Sequence, residues 1–165
     1  EVLVDGKRRK DHRFSTGLFD VISFPGMKKQ FRVVLDKKAR LCVVEVPASE
    51  SAIKVCKVVG KTMIKGGKTQ YNLHDGKNII STEKAQVGDS LLLELPSLKI
   101  KEIISLKAGV SVFLTKGKHG GDTGSLKEIK GNEAIYISNE KDVETATAYL
   151  FAVGSKNPVM KVSTE

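Results

Sequence analysis

The chain has 165 residues, of which 40% are apolar and none is tryptophan. This composition predicts a soluble globular protein with a buried core, and it excludes a membrane-spanning helix because no apolar run approaches the ~18–20 residues that such a helix needs. Lys and Arg number 28 against 19 Asp and Glu, and the net charge of +9 favours a polyanionic partner, nucleic acid before an anionic membrane.

The chain opens with a predicted strand and a basic cluster. The strand, Glu1-Val-Leu-Val, ends in the turn signal Asp5-Gly6. Basic and aromatic side chains follow directly: Lys7, Arg8, Arg9, Lys10, Arg13 and Phe14. Lys and Arg contact phosphates, and Arg and aromatic rings also stack on unpaired bases, so the cluster favours RNA or DNA contact. The alternative is a solvated hairpin, in which Asp5 and Asp11 partly neutralise the positive charge.

Short apolar stretches predict a series of strands through the middle of the chain. They cover residues 31–36, 41–46, 57–63, 69–73, 78–80, 90–95 and 99–106. Charged or Gly-rich turns such as Asp36-Lys37-Lys38 and Lys65-Gly66-Gly67 separate them. Short strands with frequent turns are typical of small antiparallel barrels.

Helix is scarce in the predicted structure. One short helix is predicted at 47–54, where Pro47 stands near the start and good helix formers follow. Residues 142–149 are predicted as a strand, because Val143, Thr145 and Thr147 lower helix propensity.

The cysteines indicate a reducing compartment. Cys42 and Cys56 stand among apolar neighbours with no CxxC pattern, which predicts buried free thiols and not a disulfide or a metal site. No secretion signal is visible, so we expect a cytoplasmic protein. Because the chain does not begin with Met, we also expect that an N-terminal part of the protein precedes it.

Residues 112–126 are the most informative stretch. An apolar strand leads into a loop that contains three glycines and three basic or titratable side chains: Gly117, Gly121, Gly124, Lys116, Lys118 and His119. In a helix each glycine costs about 1 kcal/mol relative to alanine, so this spacing predicts a tight loop between two strands, with positive φ or close backbone approach. Bare N–H groups and positive side chains suit phosphate; the alternative is an ordinary Gly-rich hairpin with solvated lysines.

No catalytic constellation is recognisable. His12, His74 and His119 lack the spacing of a metal site, and each is predicted to be a surface or turn histidine. No nucleophile-elbow, zinc-protease or phosphate-loop motif occurs. We therefore predict a protein that is not an enzyme and has no cofactor and no metal.

Three stretches, read in order, resemble one protein family. Residues 2–11 and 17–23 are similar to its signature V-x-V-D-G-K-x-R-x-D … G-x-x-D-V-I-S. Residues 31–40, with Cys56-Lys-Val58 and His74-Asp-Gly76, resemble its middle domain, and the glycine loop at 117–124 is similar to a KOW motif. The family is small-ribosomal-subunit protein four of the archaeal and eukaryotic (e-type) kind, and the resemblance covers essentially the whole chain.

The resemblance implies a mainly-β protein of tandem small β-barrel-like domains. Residues 1–23 would be the β-rich C-terminal end of an S4-type RNA-binding module whose helical part is absent. Residues 24–104 would form a central β domain, and residues 105–165 an SH3-like KOW domain with a short C-terminal extension. The segment 157–165 lacks a strongly basic extension, which resembles an archaeal member more than a eukaryotic one.

The resemblance also implies a function. The family is a non-catalytic constituent of the small subunit of the cytoplasmic ribosome and supports translation. Its partners would be small-subunit ribosomal RNA and neighbouring ribosomal proteins, with no membrane and no small-molecule substrate. The RNA-contacting residues, carried over by position, would be Lys7, Arg8, Arg9, Lys10, Arg13, Lys116, Gly117, Lys118, His119 and Gly121. Asp122 stands where a basic residue is common and weakens the pull of the loop on phosphate.

Two alternatives remain open. A KOW barrel can also be a protein-interaction module of a transcription or translation factor, which exposed apolar residues around its sheet would favour. A continuous basic face that joins residues 7–13 to 116–119 would favour RNA. S4-type modules also accompany RNA-modifying enzymes, but no catalytic domain follows here.

Overall fold

Almost all the regular structure is antiparallel strand. The computed structural model describes residues 1–163 and contains fifteen strands in three five-stranded sheets, which confirms the mainly-β prediction. The helix α1 (Ala48–Ser51) is a single turn, shorter than predicted. The reason is that Ile53 and Lys54, at the end of the predicted helix, begin the twelve-residue strand at 53–64. No helix within the described residues has the length and apolar character needed to cross a membrane.

The first sheet contains the basic N-terminal cluster at one edge. Its strands are β1 (Val2–Val4), β2 (Lys7–Arg9), β3 (Val21–Phe24), β4 (Lys29–Leu35) and β5 (Leu41–Glu45), in the order β2-β1-β3-β4-β5. Asp5 and Gly6 both have positive φ, at 49° and 73°, as a tight hairpin turn between β1 and β2 requires. The predicted Asp-Gly turn is therefore confirmed.

The second sheet bends around its longest strand. Its strands are β6 (Ile53–Ile64), β7 (Lys68–Leu73), β8 (Asn78–Ser81), β9 (Ser90–Glu94) and β10 (Lys99–Ile104), in the order β10-β9-β6-β7-β8. The first half of β6 pairs with β9 and the second half with β7, and the register shifts between Val58 and Gly60. A bulge of this kind bends a strand, so the sheet becomes a half-barrel with β8 and β10 at its edges.

The third sheet contains the glycine loop. Its strands are β11 (Ser111–Leu114), β12 (Thr123–Lys130), β13 (Glu133–Ser138), β14 (Lys141–Ala146) and β15 (Leu150–Gly154), in the order β14-β13-β12-β11-β15. The segment predicted as a strand at 142–149 is β14 followed by a 3-10 turn at Thr147–Tyr149.

Of the two predicted domain boundaries, only the one between residues 104 and 105 coincides with a break between sheets. The predicted boundary between residues 23 and 24 falls within β3. This strand pairs with β4 in the same sheet, with Val21 opposite Arg32. Breaks between sheets fall between Glu45 and Ile53 and between Ile104 and Ser111. The division into domains 1–23, 24–104 and 105–165 stays a prediction, and residues 164–165 lie outside the described part of the chain.

All three sheets contribute to one large apolar core. Phe19, before β3, contacts Phe113 and Phe151 of the third sheet, with ring centroids 5.4 and 5.0 Å apart. Val55 of the second sheet belongs to the same cluster. Both cysteines are free thiols: Cys56 is buried as predicted, in a smaller core within the second sheet, whereas Cys42 is only half-buried.

A buried ion cluster, the Lys54 cluster, joins the first two sheets. Its members are Lys54, Lys77, Asp5, Asp20 and Asp75. The Lys54 ammonium is fully buried and lies 2.8, 2.5 and 2.8 Å from carboxylate oxygens of Asp5, Asp20 and Asp75. Lys77 donates to Asp5 and Asp75 from the side that solvent reaches. Two carboxylates come from the first sheet and both ammonium groups from the second, so the cluster fixes how these sheets meet.

The ion cluster shifts the pKa values of Asp5, Asp75 and Lys54. Burial alone would raise the pKa of Asp5 and Asp75, but Lys54 and Lys77 outweigh it, and both pKa values lie below their ordinary range. Burial alone would lower the pKa of Lys54, but the negative charges of the three carboxylates raise it. The ionised forms of Asp5, Asp75 and Lys54 are therefore favoured by their neighbours of opposite charge.

Further contacts join the second sheet to the third sheet and to the segment before β3. The Lys57 ammonium donates to the carbonyl oxygens of Ala148 and Leu150, at 3.0 and 2.7 Å. The His74 ring accepts a hydrogen bond from the Lys57 N–H through Nδ1, and its Nε2 lies 3.2 Å from the Leu18 carbonyl oxygen. Burial lowers the pKa of His74, so its neutral form is favoured and Nε2–H donates to Leu18.

We predict that Lys54→Met destabilises the protein by about 3–5 kcal/mol, because it leaves three buried carboxylates without their shared cation. Urea unfolding measures the loss. Lys77→Met is the matched control: Lys77 is 26% exposed, and its removal leaves Lys54 in place, so the loss is expected to be clearly smaller. Equal losses would show that Lys54 has no special role.

We predict that the difference in unfolding free energy between wild type and Lys54→Met depends on pH. Asp5 and Asp75 have lowered pKa values in the folded state, so their contribution to stability is present above about pH 4, the ordinary Asp pKa, and is lost as the pH falls below it. Protonated carboxyls no longer need Lys54, so the unfolding free energies of wild type and Lys54→Met should converge on acidification. A gap independent of pH would contradict this account.

Candidate nucleic-acid interface

The turn between β4 and β5 presents three basic side chains. Asp36 organises it: Oδ1 accepts hydrogen bonds from the N–H groups of Lys38 and Arg40, at 2.8 and 2.9 Å, and Oδ2 accepts from the Arg40 guanidinium. These bonds, the Arg40 N–H first, lower the pKa of Asp36. Ala39 completes the turn with a φ of 55°, and Lys37, Lys38 and Arg40 are exposed.

The glycine loop connects β11 to β12, which confirms the predicted loop between two strands. Gly117 and Gly121 have φ values of 83° and 87°, as predicted for glycines in such a loop. The Gly121 N–H donates to the Leu114 carbonyl oxygen at 2.8 Å, and the Leu114 N–H donates to Asp122. These bonds join the two ends of the loop. Lys116 and Lys118 lie at its tip, where both are exposed.

The glycines let the loop pack against the β4–β5 turn. A Cβ at Gly121 would lie 2.0 Å from the Asp36 carbonyl oxygen, and one at Gly120 would lie 2.8 Å from the Ala39 Cβ. Only glycine allows this approach. Two segments that are far apart in the sequence thereby form one basic surface, the turn–loop cluster: Lys37, Lys38, Arg40, Lys116, Lys118 and His119.

For Gly121 the geometry supports packing more than binding. The residue is buried, and its N–H is already used within the loop. By contrast, the N–H groups of residues 116–119 donate to no other residue in the described part of the chain. The predicted RNA contacts of Lys116, Gly117, Lys118, His119 and Gly121 remain predictions.

The N-terminal basic cluster is at the opposite edge of the first sheet. Lys7, Arg8 and Arg9 form β2, and Lys10 and Arg13 follow it. All are exposed except Arg9, which is half-buried. Four strand spacings of ~4.8 Å put β2 about 19 Å from β5. The loop packs on the β4–β5 turn, and a continuous basic face from residues 7–13 to 116–119 stays a prediction.

Arg9 and Phe14 form a stacked pair within the N-terminal cluster. The Arg9 guanidinium carbon lies 3.9 Å from the centre of the Phe14 ring, and Phe14 is 41% exposed. Arg8 is paired with Glu1, with 3.3 Å between Nε and the carboxylate. Arg9 thus has a structural contact that an exposed lysine lacks, and part of the Phe14 side chain remains exposed to solvent.

The part of the chain that the structure describes contains one group of three carboxylates close enough to bind a metal. It is Asp5, Asp20 and Asp75, whose oxygens lie within 4.8 Å of one another. The Lys54 ammonium contacts all three, so a cation already occupies the position of a metal ion. These carboxylates hold the first and second sheets together through Lys54.

Sequence reasoning missed the contribution of Lys37, Lys38 and Arg40. The charged turn was visible as a strand end, with three basic residues in four positions. Its approach to the glycine loop depends on the packing of the first sheet on the third, which no local pattern reports.

We predict that Gly121→Ala destabilises the protein more than Gly66→Ala. Both glycines have similar positive φ, 87° and 84°, so both variants carry the ~1–2 kcal/mol cost of that backbone region. A Cβ at Gly66 meets nothing within 4 Å, whereas one at Gly121 meets the Asp36 oxygen and adds a further ~1–3 kcal/mol. Urea unfolding of both variants isolates the close approach, and equal losses would contradict it.

Comparisons with known proteins point to one family. The sequence model of ribosomal family S4e matches residues 27–100. The small ribosomal subunit protein eS4 of Methanosphaera stadtmanae is 42% identical over 168 residues, covering 98% of this chain and 70% of the relative. The protein of the same name from Methanocella arvoryzae is 38% identical, with the same coverage. The crystal structure of the 30S ribosomal protein S4e from Thermoplasma acidophilum has a TM-score of 0.83 and 31% identity, covering 93% of this chain and 80% of that one.

Proposed function

The chain belongs to ribosomal family S4e, and we propose that it is a structural component of the small ribosomal subunit that binds ribosomal RNA and supports translation. Its site of action is the cytoplasmic ribosome, where neighbouring ribosomal proteins are its other partners. Its role in this proposal is binding and not catalysis.

The turn–loop cluster is the observation that carries the RNA contact. Two segments remote in sequence, each rich in Lys or Arg, are held together by glycines that allow backbone contact. Lys and Arg neutralise phosphates and release counterions, so binding weakens steeply as salt is added. The N–H groups of 116–119 add hydrogen-bond donors that do not depend on a side chain.

The N-terminal cluster supplies a second contact of a different kind. Lys7, Lys10 and Arg13 are exposed and suit phosphate, while Phe14 offers a ring face backed by Arg9. Aromatic faces stack on bases that are not in a duplex. With clusters at two edges of the first sheet, the protein would bind RNA at two separate positions and read its shape.

The exposed apolar residues do not favour the protein-interaction alternative for the third sheet. Ile129 and Ile137 are its most exposed large apolar residues, at 39% and 38%, within the described residues. Higher exposure occurs elsewhere, with Met63 at 82% on β6 and Met27 at 67% after β3. The sheet that carries the glycine loop therefore presents charge more than apolar surface.

We predict that the double variant Lys38→Glu, Lys118→Glu weakens binding to small-subunit ribosomal RNA. Loss of two phosphate contacts should reduce the slope of log affinity against log salt by about 2, and fluorescence anisotropy over a salt series measures it. Both side chains are exposed, so stability should change by less than ~0.5 kcal/mol per site.

The control is Lys107→Glu, Lys130→Glu, which makes the same change in net charge. Lys130 ends β12 and Lys107 precedes β11, so both lie at the end of the third sheet away from the glycine loop. The slope should change less in this variant. Equal effects in the two double variants would show that only the overall charge matters and would overturn the assignment to the turn–loop cluster.

A further inference from the structure

Beside the turn–loop cluster lies a cavity that differs in character from a phosphate-binding surface. We infer that this cavity takes one unpaired RNA nucleotide, with the phosphate at its lysine rim and the base against Asp122. The inference rests on the proposed RNA binding and goes further by naming the chemical unit that is recognised. The cavity, of about 370 Å³, is called the turn–loop pocket.

The pocket is built from separate parts of the chain. The β4–β5 turn, the glycine loop, the start of β12, the β13–β14 turn and the C-terminal segment all contribute residues to its wall. The residues used in the argument are Lys37, Lys118, His119, Asp122, Ser138 and Asn139. Its volume lies within the roughly 300–1,000 Å³ of small-ligand sites. A concave site of this size admits a single nucleotide, whereas a paired duplex presents its bases already stacked inside.

The rim of the pocket suits a phosphate. Lys37 and Lys118 line it from the turn and from the loop, and His119, which is half-buried, lines it as well. Ammonium groups and backbone N–H groups bind phosphate oxygens, and an imidazole ring can stack on a base. These features alone would describe an anion site.

The floor of the pocket does not suit a bare anion, because it contains the Asp122 carboxylate. Its Oδ1 accepts hydrogen bonds from the Thr123 N–H at 2.9 Å and the Ser138 hydroxyl at 3.1 Å, and its Oδ2 accepts from the Tyr136 hydroxyl at 2.9 Å. A carboxylate has about four lone-pair positions, so one remains for a ligand that donates. Nucleobases donate from amino and ring N–H groups, and phosphate oxygens only repel Asp122.

The donors around Asp122 are stable partners. Burial first, and then the hydrogen bond to Asp122, raise the pKa of Tyr136, so its hydroxyl keeps its proton. Asn139 stands beside this floor with a φ of 48°, a conformation that Asn tolerates, and brings a side-chain amide to the pocket wall. An amide both donates and accepts, which matches the edge of a base. The positive rim and the negative floor together favour a nucleotide over phosphate alone.

The test is a titration of the whole ¹⁵N-labelled chain followed by amide chemical shifts. The probes are guanosine 5′-monophosphate, inorganic phosphate and a fully paired RNA duplex. The nucleotide should move the amide signals of residues 118–123 and 138–139, and it should bind about tenfold tighter than phosphate, the gain that one charge-assisted hydrogen bond supplies. The duplex should move the signals of Lys38, Arg40 and Lys116 and leave those of 138–139 unchanged.

Two variants make the test specific. Asp122→Asn should weaken nucleotide binding and strengthen phosphate binding, because it removes the floor charge that accepts one ligand and repels the other. Asn139→Gly keeps the backbone conformation and should weaken nucleotide binding without affecting phosphate. If Asp122→Asn fails to fold, Asn139→Gly decides the matter.

The outcomes separate this inference from the proposed function. Three results would overturn the pocket assignment. They are equal affinity for phosphate and nucleotide, variants in which both affinities change by the same factor, and a nucleotide that leaves the amide signals of the pocket unchanged. Binding of small-subunit ribosomal RNA is measured on the same samples. If the wild type binds ribosomal RNA but the pocket does not respond to the nucleotide, only the inference is refuted. If the wild type does not bind small-subunit ribosomal RNA specifically, the proposed function is refuted.

Discussion

The rest of the structure depends on the ammonium group of Lys54. Its bonds to Asp5, Asp20 and Asp75 fix the first sheet on the second, and they involve the β1–β2 turn, the segment before β3 and the β7–β8 turn. A buried ion cluster adds little net free energy compared with apolar packing, but separating the two sheets would leave its buried charges without partners. Once the first sheet is placed, the β4–β5 turn meets the glycine loop, and the basic surface follows from that contact.

Much of the fold could be predicted from local patterns. Alternating apolar residues gave the approximate positions of most strands, and Asp5-Gly6 and the glycines at 117 and 121 have the positive φ values that turn chemistry requires. β2 was missed because three consecutive basic residues have no apolar face to show. β15, Leu-Phe-Ala-Val-Gly, is buried at every position, so it shows no alternation.

The candidate site was only partly predictable, for a different reason. Residues 7–13 and 116–119 were found because charge and glycine spacing are local properties. The partner of the loop, at residues 36–40, could not be found from local sequence. The Gly121 backbone approaches the Asp36 carbonyl oxygen so closely that a Cβ would lie 2.0 Å from it, and this approach exists only after the sheets have packed. Asp122 illustrates the same limit: as one acidic residue in a basic loop it looks unfavourable, and its three hydrogen bonds give it a defined place.

The shared aromatic core has a consequence for the order in which the molecule can form during synthesis. Phe19 packs against Phe151, and β11 pairs with β15, so residues near the start of the chain await a strand near its end. Contacts of such long sequence separation form late and slowly. A nascent chain that has not yet released β15 from the exit tunnel cannot close the third sheet on the first. The aromatic core that holds the first sheet on the third is then incomplete until β15 has left the tunnel.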